Sequence, residues 1–203
     1  MKKVLTLGAA ALVALSLAAC SSSTSTKSTS SSKTSSSQQT KTGEKKVTRD
    51  AYTAIKLGDM AKSGNGGDTL ATLEAKFGKA TSSASAETNG IKTDTKTWTN
   101  VDGDASAAFV VSFVNGKAVG KNISHLKADR PKDITLAAYN KVTTGETYAA
   151  VNSALGLPNS INESIFSGST SLIAVYLNKD LSSNATVTFA NGKVQSKTQT
   201  NLK

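Results

Sequence analysis

The chain has 203 residues, a formal net charge of +10, one cysteine, one histidine and only 5% aromatic residues. A lone cysteine excludes a disulfide within the chain, and one histidine beside it leaves a zinc site without its usual nitrogen and sulfur ligands. The positive charge comes from dispersed lysines, with Arg49 and Arg130 the only arginines; nucleic-acid readers gather arginine on one face, so no nucleic-acid partner is expected.

Met1-Lys2-Lys3 is a short basic start, and Val4 to Leu17 is an almost unbroken apolar run. The run is too short to span a bilayer and fits the apolar region of a secretory signal. It ends in Leu17-Ala18-Ala19-Cys20, which looks like a lipobox, where bacteria attach diacylglycerol to the cysteine thiol and cut just before it. Residues 1–19 are then a removed signal peptide, with cleavage between Ala19 and Cys20. Two acyl chains anchor stably where one does not. The expected place is therefore the outer face of the bacterial cytoplasmic membrane, with the lipid on Cys20 and no other cofactor.

From Ser21 to Thr40 every residue is Ser, Thr or Gln except Lys27 and Lys33. Such a stretch has nothing to bury and reads as a flexible tether over residues 20–46, with a reach of roughly 28 Å. Its length suits a thick-walled cell. The lysines suit anionic headgroups or an acidic wall polymer.

Beyond it the chain repeats itself. Tyr52, Ile55, Gly58 and Asp59 return in the same spacing as Tyr139, Val142, Gly145 and Glu146. Leu73, Phe77 and Gly78 return as Val151, Leu155 and Gly156; Trp98 matches Tyr176; Phe113-x-Asn115-Gly116-Lys117 matches Phe189-x-Asn191-Gly192-Lys193; Lys121 matches Lys197. Matches in one order with loop-sized offsets indicate a duplication. The first repeat spans 47–127 and the second 134–203, and the first carries an insertion near Met60 to Gly67 that reads as a mobile loop.

Each repeat reads as two helices followed by a four-stranded meander. The first helix lies near Asp50 to Leu57, and the second near Thr69 to Phe77 with Asp68 as its N-cap and Gly78 as its C-cap. In the second repeat Thr144 or Gly145 begins the helix that Gly156-Leu157-Pro158 stops. Asn89-Gly90, Asn115-Gly116 and Asn191-Gly192 are hairpin turns. Alternation puts Phe109, Val111, Phe113, Val187 and Phe189 on the core face. The solvent face then shows Val110, Ser112, Lys117, Val119 and Lys121 in the first repeat, and Thr186, Thr188, Lys193, Gln195 and Lys197 in the second.

This pattern resembles the β-lactamase-inhibitor-protein-like (BLIP-like) fold and the related SmpA/OmlA-type small lipoprotein domains. The residues that carry the likeness are the Tyr-x-x-Ile/Val-x-x-Gly-Asp/Glu motif, the Leu-Gly-Leu-Pro helix end at Leu155 to Pro158, the sheet aromatics Trp98 and Tyr176, and Phe-x-Asn-Gly-Lys. The first repeat departs from it at Ala80, where a proline is expected. The resemblance implies an α+β fold in which two tandem helix-helix-sheet repeats form one continuous curved sheet with helices on one face.

Catalytic and metal signals are weak. His125 matches Asn201 near the end of the last strand and reads as an exposed strand residue rather than a catalytic base. Asp102-Gly103-Asp104 lacks the remaining ligands of a calcium loop and reads as a turn. Ser63 to Gly67 is followed by no Gly-Lys-Ser/Thr and is no phosphate cradle. The expected function is a non-catalytic protein-interaction module that meets an extracytoplasmic protein or wall polymer. Val110, Lys117, Val119, Lys121, Thr188, Lys193, Gln195, Lys197 and Asn65 are its candidate contacts. The alternative implied by the resemblance is an inhibitor of a secreted enzyme.

Overall fold

Among the described residues, four threonines start the four α-helices. In the computed structural model, which describes residues 46–203 apart from 129 and 131, these are α1 (Arg49–Thr53), α2 (Leu70–Phe77), α3 (Leu136–Lys141) and α4 (Tyr148–Leu155). Ala19, Cys20, the expected signal peptide and the expected tether up to residue 45 lie outside the described residues. The first N–H groups of a helix have no partner within it, and a hydroxyl one residue before the helix supplies one. Thr48, Thr69, Thr135 and Thr147 accept from the amides of Ala51, Thr72, Ala138 and Ala150 at 3.1 to 3.2 Å. The expected cap at Asp68 is thereby corrected. Its carboxylate instead accepts from the Lys56 amide at 3.1 Å, because the extended residue that directly precedes the helix is Thr69. Likewise α4 begins after Thr147 and not at Thr144 or Gly145. Gly78 and Gly156 close α2 and α4 at φ +82° and +81°, where an L side chain is strained.

The strands are β1 (Ser82–Thr88), β2 (Ile91–Trp98), β3 (Gly103–Val114), β4 (Lys117–Leu126), β5 (Ser160–Phe166), β6 (Ser169–Leu177), β7 (Asn184–Ala190) and β8 (Lys193–Thr200). They form one antiparallel sheet in sequence order. The three expected Asn-Gly turns are present, with both central residues at positive φ, and Ser167-Gly168 makes a fourth. Gly120 to Ile123 of β4 pairs with Ser164 to Ile161 of β5, so both halves of the chain share one sheet.

The helices cover one face of that sheet. Tyr52, Leu73 and Phe77 pack with Trp98, Phe109, Val111, Phe113 and Ile123 in one cluster. Tyr139, Val151 and Leu155 pack with Ala174, Tyr176, Val187 and Phe189 in a second, and Leu172 touches both clusters. Trp98 and Tyr176 are fully buried. The Trp98 indole donates to the Gly78 carbonyl at 2.8 Å, and the Tyr176 hydroxyl to Asn152 Oδ1 at 2.9 Å, so each ties its strand to the helix above it. Together these elements make Lys41–Lys203 one compact unit.

Two β-bulges overturn part of the expected solvent face. The β3–β4 register shifts between Ser112 and Phe113, so that Phe113 pairs with Ala118 while Ser112 pairs with Gly120 and Val111 with Lys121. One extra residue inverts the alternation beyond it. Lys121 therefore lies on the core face and is only 5% exposed. Val119, the extra residue, is fully buried. The same shift between Thr188 and Phe189 pairs Val187 with Lys197 and leaves Gln195 as the extra residue. Lys197 thus turns inward as well.

Candidate interaction surface

The face away from the helices is set by the pairing. One row runs across all eight strands: Ser82, Thr97, Val110, Asn122, Asn162, Ile173, Thr188 and Ser196. The next runs Ala84, Thr95, Ser112, Gly120, Ser164, Ser171, Ala190 and Lys193. Lys193 is the only charged side chain in these two rows. No residue of either row belongs to the two core clusters, which gather the α-helices on the opposite face. In a chain of this charge, so much neutral sheet surface is a departure from the mixed charges that keep a surface solvated.

Phe166 extends that face. It follows Asn162 and Ser164 on the same side of β5 and is 58% exposed at the Ser167-Gly168 turn. The turn is pinned from across the chain. Asp59 accepts from the amides of Ser167 (Oδ1) and Gly168 (Oδ2), both at 2.8 Å, and from Ala61 at 3.0 Å, and is itself 8% exposed. Phe166 is not among the contacts expected from the sequence. Its signal was available: counting outward by twos from the apolar residues Ile161 and Ile165 leaves Phe166 on the other face.

Of the expected contact residues, Val110, Thr188 and Lys193 lie on these rows, and Lys117 and Gln195 stand at their turn end. Val119, Lys121 and Lys197 do not, and Asn65 is exposed on the inserted loop. That loop is held rather than free, contrary to expectation. Gly64 N–H donates to the Asp59 carbonyl at 2.9 Å, and Gly58 N–H to the Ala118 carbonyl at 2.8 Å. Gly64 sits so close that a Cβ there would come within 2.7 Å of Lys117 Cβ and 3.2 Å of Val119 Cγ1. The loop therefore roofs Val119, which is why that residue is buried.

The inward lysines are tied to the helices. Lys121 Nζ donates to the carbonyls of Tyr52 (3.1 Å) and Ile55 (3.0 Å), meets Glu163 Oε2 at 3.3 Å, and lies 4.5 Å from the centre of the Tyr52 ring. Burial lowers its pKa from the ordinary lysine value, with Glu163 opposing. Lys197 Nζ donates to the Tyr139 carbonyl at 2.7 Å and lies 4.2 Å over the Tyr139 ring.

Both arginines donate internally, although Arg49 Nη1 is buried without a hydrogen-bond partner. Arg49 donates to the Pro158 carbonyl at 2.7 Å. Arg130 donates to the carbonyls of Leu157 (2.6 Å) and Leu177 and to Asn159 Oδ1 (2.9 Å). They fasten the turn after α4 to the first half and to the inter-half link.

Asp104, Ser106 and His125 do meet, on the surface. His125 Nδ1 is 3.0 Å from Ser106 Oγ and 3.2 Å from Asp104 Oδ2, while Ser106 Oγ also lies 2.6 Å from Asp104 Oδ1. A relay needs serine and aspartate on opposite ring nitrogens. Here both share Nδ1, and the serine proton is directed to the carboxylate. Among the described residues no group of three or more His, Cys, Asp or Glu side chains could hold a metal, and no helix is long and apolar enough to cross a membrane.

An α+β protein with one open eight-stranded antiparallel sheet, helices on one side and a neutral face on the other defines the class. The chain belongs to the family described as a domain of unknown function with solved-structure structure (DUF3862), whose model matches residues 44–202. The fold is similar to a crystal structure described as a "putative beta-lactamase inhibitor protein" from Streptococcus mutans. That likeness has a TM-score of 0.63 at 24% identity, over 76% of this chain and 96% of the other. No curated protein matches the chain.

Proposed function

We propose that this protein is a non-catalytic interaction module, held by acyl groups on Cys20 at the outer face of a bacterial cytoplasmic membrane, that binds an extracytoplasmic protein. The observation that supports it most is the uncovered neutral sheet face with Phe166 exposed at its end. An interface core is depleted of charge and anchored by aromatic residues. Ile173, Val110 and Val175 supply further apolar contact, and Ser, Thr and Asn supply hydrogen bonds. The matched pairs Trp98/Tyr176, Lys121/Lys197 and Thr69/Thr147, each in the same role, support an origin by duplication of a helix-helix-meander unit.

The partner reading is tested on the native, membrane-bound protein with a photo-crosslinking residue at Ile173 or Phe166, and with Ser153 on α4 as the control. One shared adduct from the first two and none from Ser153 is expected. Equal labelling from all three would remove the face from consideration. The anchor is tested by mass spectrometry of the mature N-terminus, which should begin at Cys20 and carry diacylglyceryl mass.

A second reading, inhibition of a secreted enzyme, is favoured by the fold likeness to the Streptococcus mutans protein. Titration against secreted hydrolases, β-lactamases included, separates the two. Stoichiometric loss of activity that Phe166→Ala relieves would select inhibition.

A further inference from the structure

The two edges of the sheet differ. β8 ends one side and carries Lys193, Lys197 and a bulge, devices that keep an edge from pairing. β1 ends the other side as Ser82-Ser83-Ala84-Ser85-Ala86-Glu87-Thr88, with neither lysine nor proline. Every residue of it is exposed, and it pairs with β2 one for one, without a bulge, from Ser82↔Thr97 to Thr88↔Ile91. The two-residue turn at Asn89-Gly90 makes Thr88 and Ile91 a hydrogen-bonded pair. By alternation Ser82, Ala84 and Ala86 also bond to β2, and Ser83, Ser85 and Glu87 turn their N–H and C=O groups to the open side. Among the described residues no strand pairs with them there.

We infer that this edge pairs with the same edge of a second copy, antiparallel about a two-fold axis at Ser85. The pairing continues two eight-stranded sheets into one. The strand is complementary to itself in this register. Ser85 meets its own equivalent, Ala84 meets Ala86, Ser82 meets Thr88, and Glu87 meets Ser83, so no bulky pair and no like-charged pair is opposed. Lys96 lies beside Ser83 on β2. Across the axis it therefore reaches over a serine toward Glu87 of the second copy, and the exchange occurs twice by symmetry. A closed, isologous contact of this kind stops at two copies. A seven-residue ladder buries less than the roughly 1,200 Å² of a stable complex, so association is weak and grows where copies are concentrated together. The pairing uses only the edge and leaves the neutral face free, so it stands independently of the partner proposed above.

The Lys41–Lys203 unit suits the test, because its core is complete within it and Cys20 lies outside it. In sedimentation equilibrium from micromolar to millimolar concentration, its weight-average mass should climb toward twice the monomer mass. Ser85→Pro removes an N–H that has no partner within one copy, as an edge position permits, and should hold the mass at the monomer throughout. Ser85→Cys makes the only thiol of the unit. Cα atoms across a hydrogen-bonded antiparallel pair are about 5.5 Å apart, within disulfide reach. Mild oxidation should therefore link two copies, whereas Ser82→Cys, opposite Thr88, should link few. A chain that stays monomeric at millimolar concentration overturns the inference. So does association that Ser85→Pro leaves unchanged, growth past two copies, or equal crosslinking from Ser82→Cys and Ser85→Cys.

Discussion

Lys121 shows how one buried side chain is made tolerable. Its ammonium leaves water but gains the carbonyls of Tyr52 and Ile55, the Glu163 carboxylate and the Tyr52 ring, and a buried charge persists only when its donors are used in this way. Lys197 repeats the carbonyl and ring contacts but is only half-buried and pairs with no carboxylate among the described residues. Lys121→Ala should therefore cost about 3 kcal/mol, chiefly from stranded acceptors, and Lys197→Ala about 1 kcal/mol. Urea unfolding of the two variants measures the difference, and equal losses would contradict the role given to Glu163. The buried tyrosines set the alkaline limit. Burial raises the pKa of Tyr52 and of Tyr176 above the ordinary 10.0. Below pH 10 both states keep those protons and stability does not change on their account. Above it the unfolded chain releases protons that the folded one retains, so stability falls by about 1.4 kcal/mol per pH unit for each tyrosine. Lys121 acts oppositely. Its folded pKa lies below the ordinary 10.5, so between those two values the unfolded state binds more protons and stability rises with pH, while above 10.5 the lysine adds no further slope. One lysine does not offset two tyrosines. The urea midpoint should decline steeply above about pH 10.5, and Tyr52→Phe should shallow the decline.

At the scale of elements, helices of five to eight residues are too short to persist alone. Each depends on its threonine cap and on one buried stripe. Thr147→Ala removes the acceptor for the Ala150 amide and should cost about 1 kcal/mol, with Thr147→Ser restoring most of it. Chemical denaturation of the pair tests the cap itself, since both lose the methyl group and only alanine loses the oxygen. The turns were legible from sequence for the same local reason. Asn-Gly admits positive φ at both central positions, so three hairpins could be placed without reference to the rest of the chain.

At the scale of the whole molecule, two core clusters share one sheet. The junction is made by the β4–β5 pairing, by Leu172, by the Lys121–Glu163 pair, and by Arg49 and Asp59 reaching Pro158 and the Ser167-Gly168 turn. With so many ties the halves should unfold together. Leu73→Ala in one cluster and Val151→Ala in the other remove side chains that are fully buried. Each should lower one common transition, by about 2 to 4 kcal/mol for Leu73→Ala and somewhat less for the smaller valine. Calorimetry that resolved two transitions would show the halves to be independent.

Sequence alone determined the short-range features: the hairpin turns, the glycine helix ends, the apolar stripes of Leu73 and Phe77 and of Val151 and Leu155, and the matched order of motifs in both halves. These follow from dihedral preference and periodicity within a few residues. Only the tertiary structure decided which way Lys121 and Lys197 point, what Asp59 binds, and that the inserted loop roofs Val119. A bulge depends on how two strands fit together, and a single extra residue exchanges the faces beyond it. Carboxylate and guanidinium partners more than a hundred residues away are chosen by the assembled sheet, which no local pattern encodes.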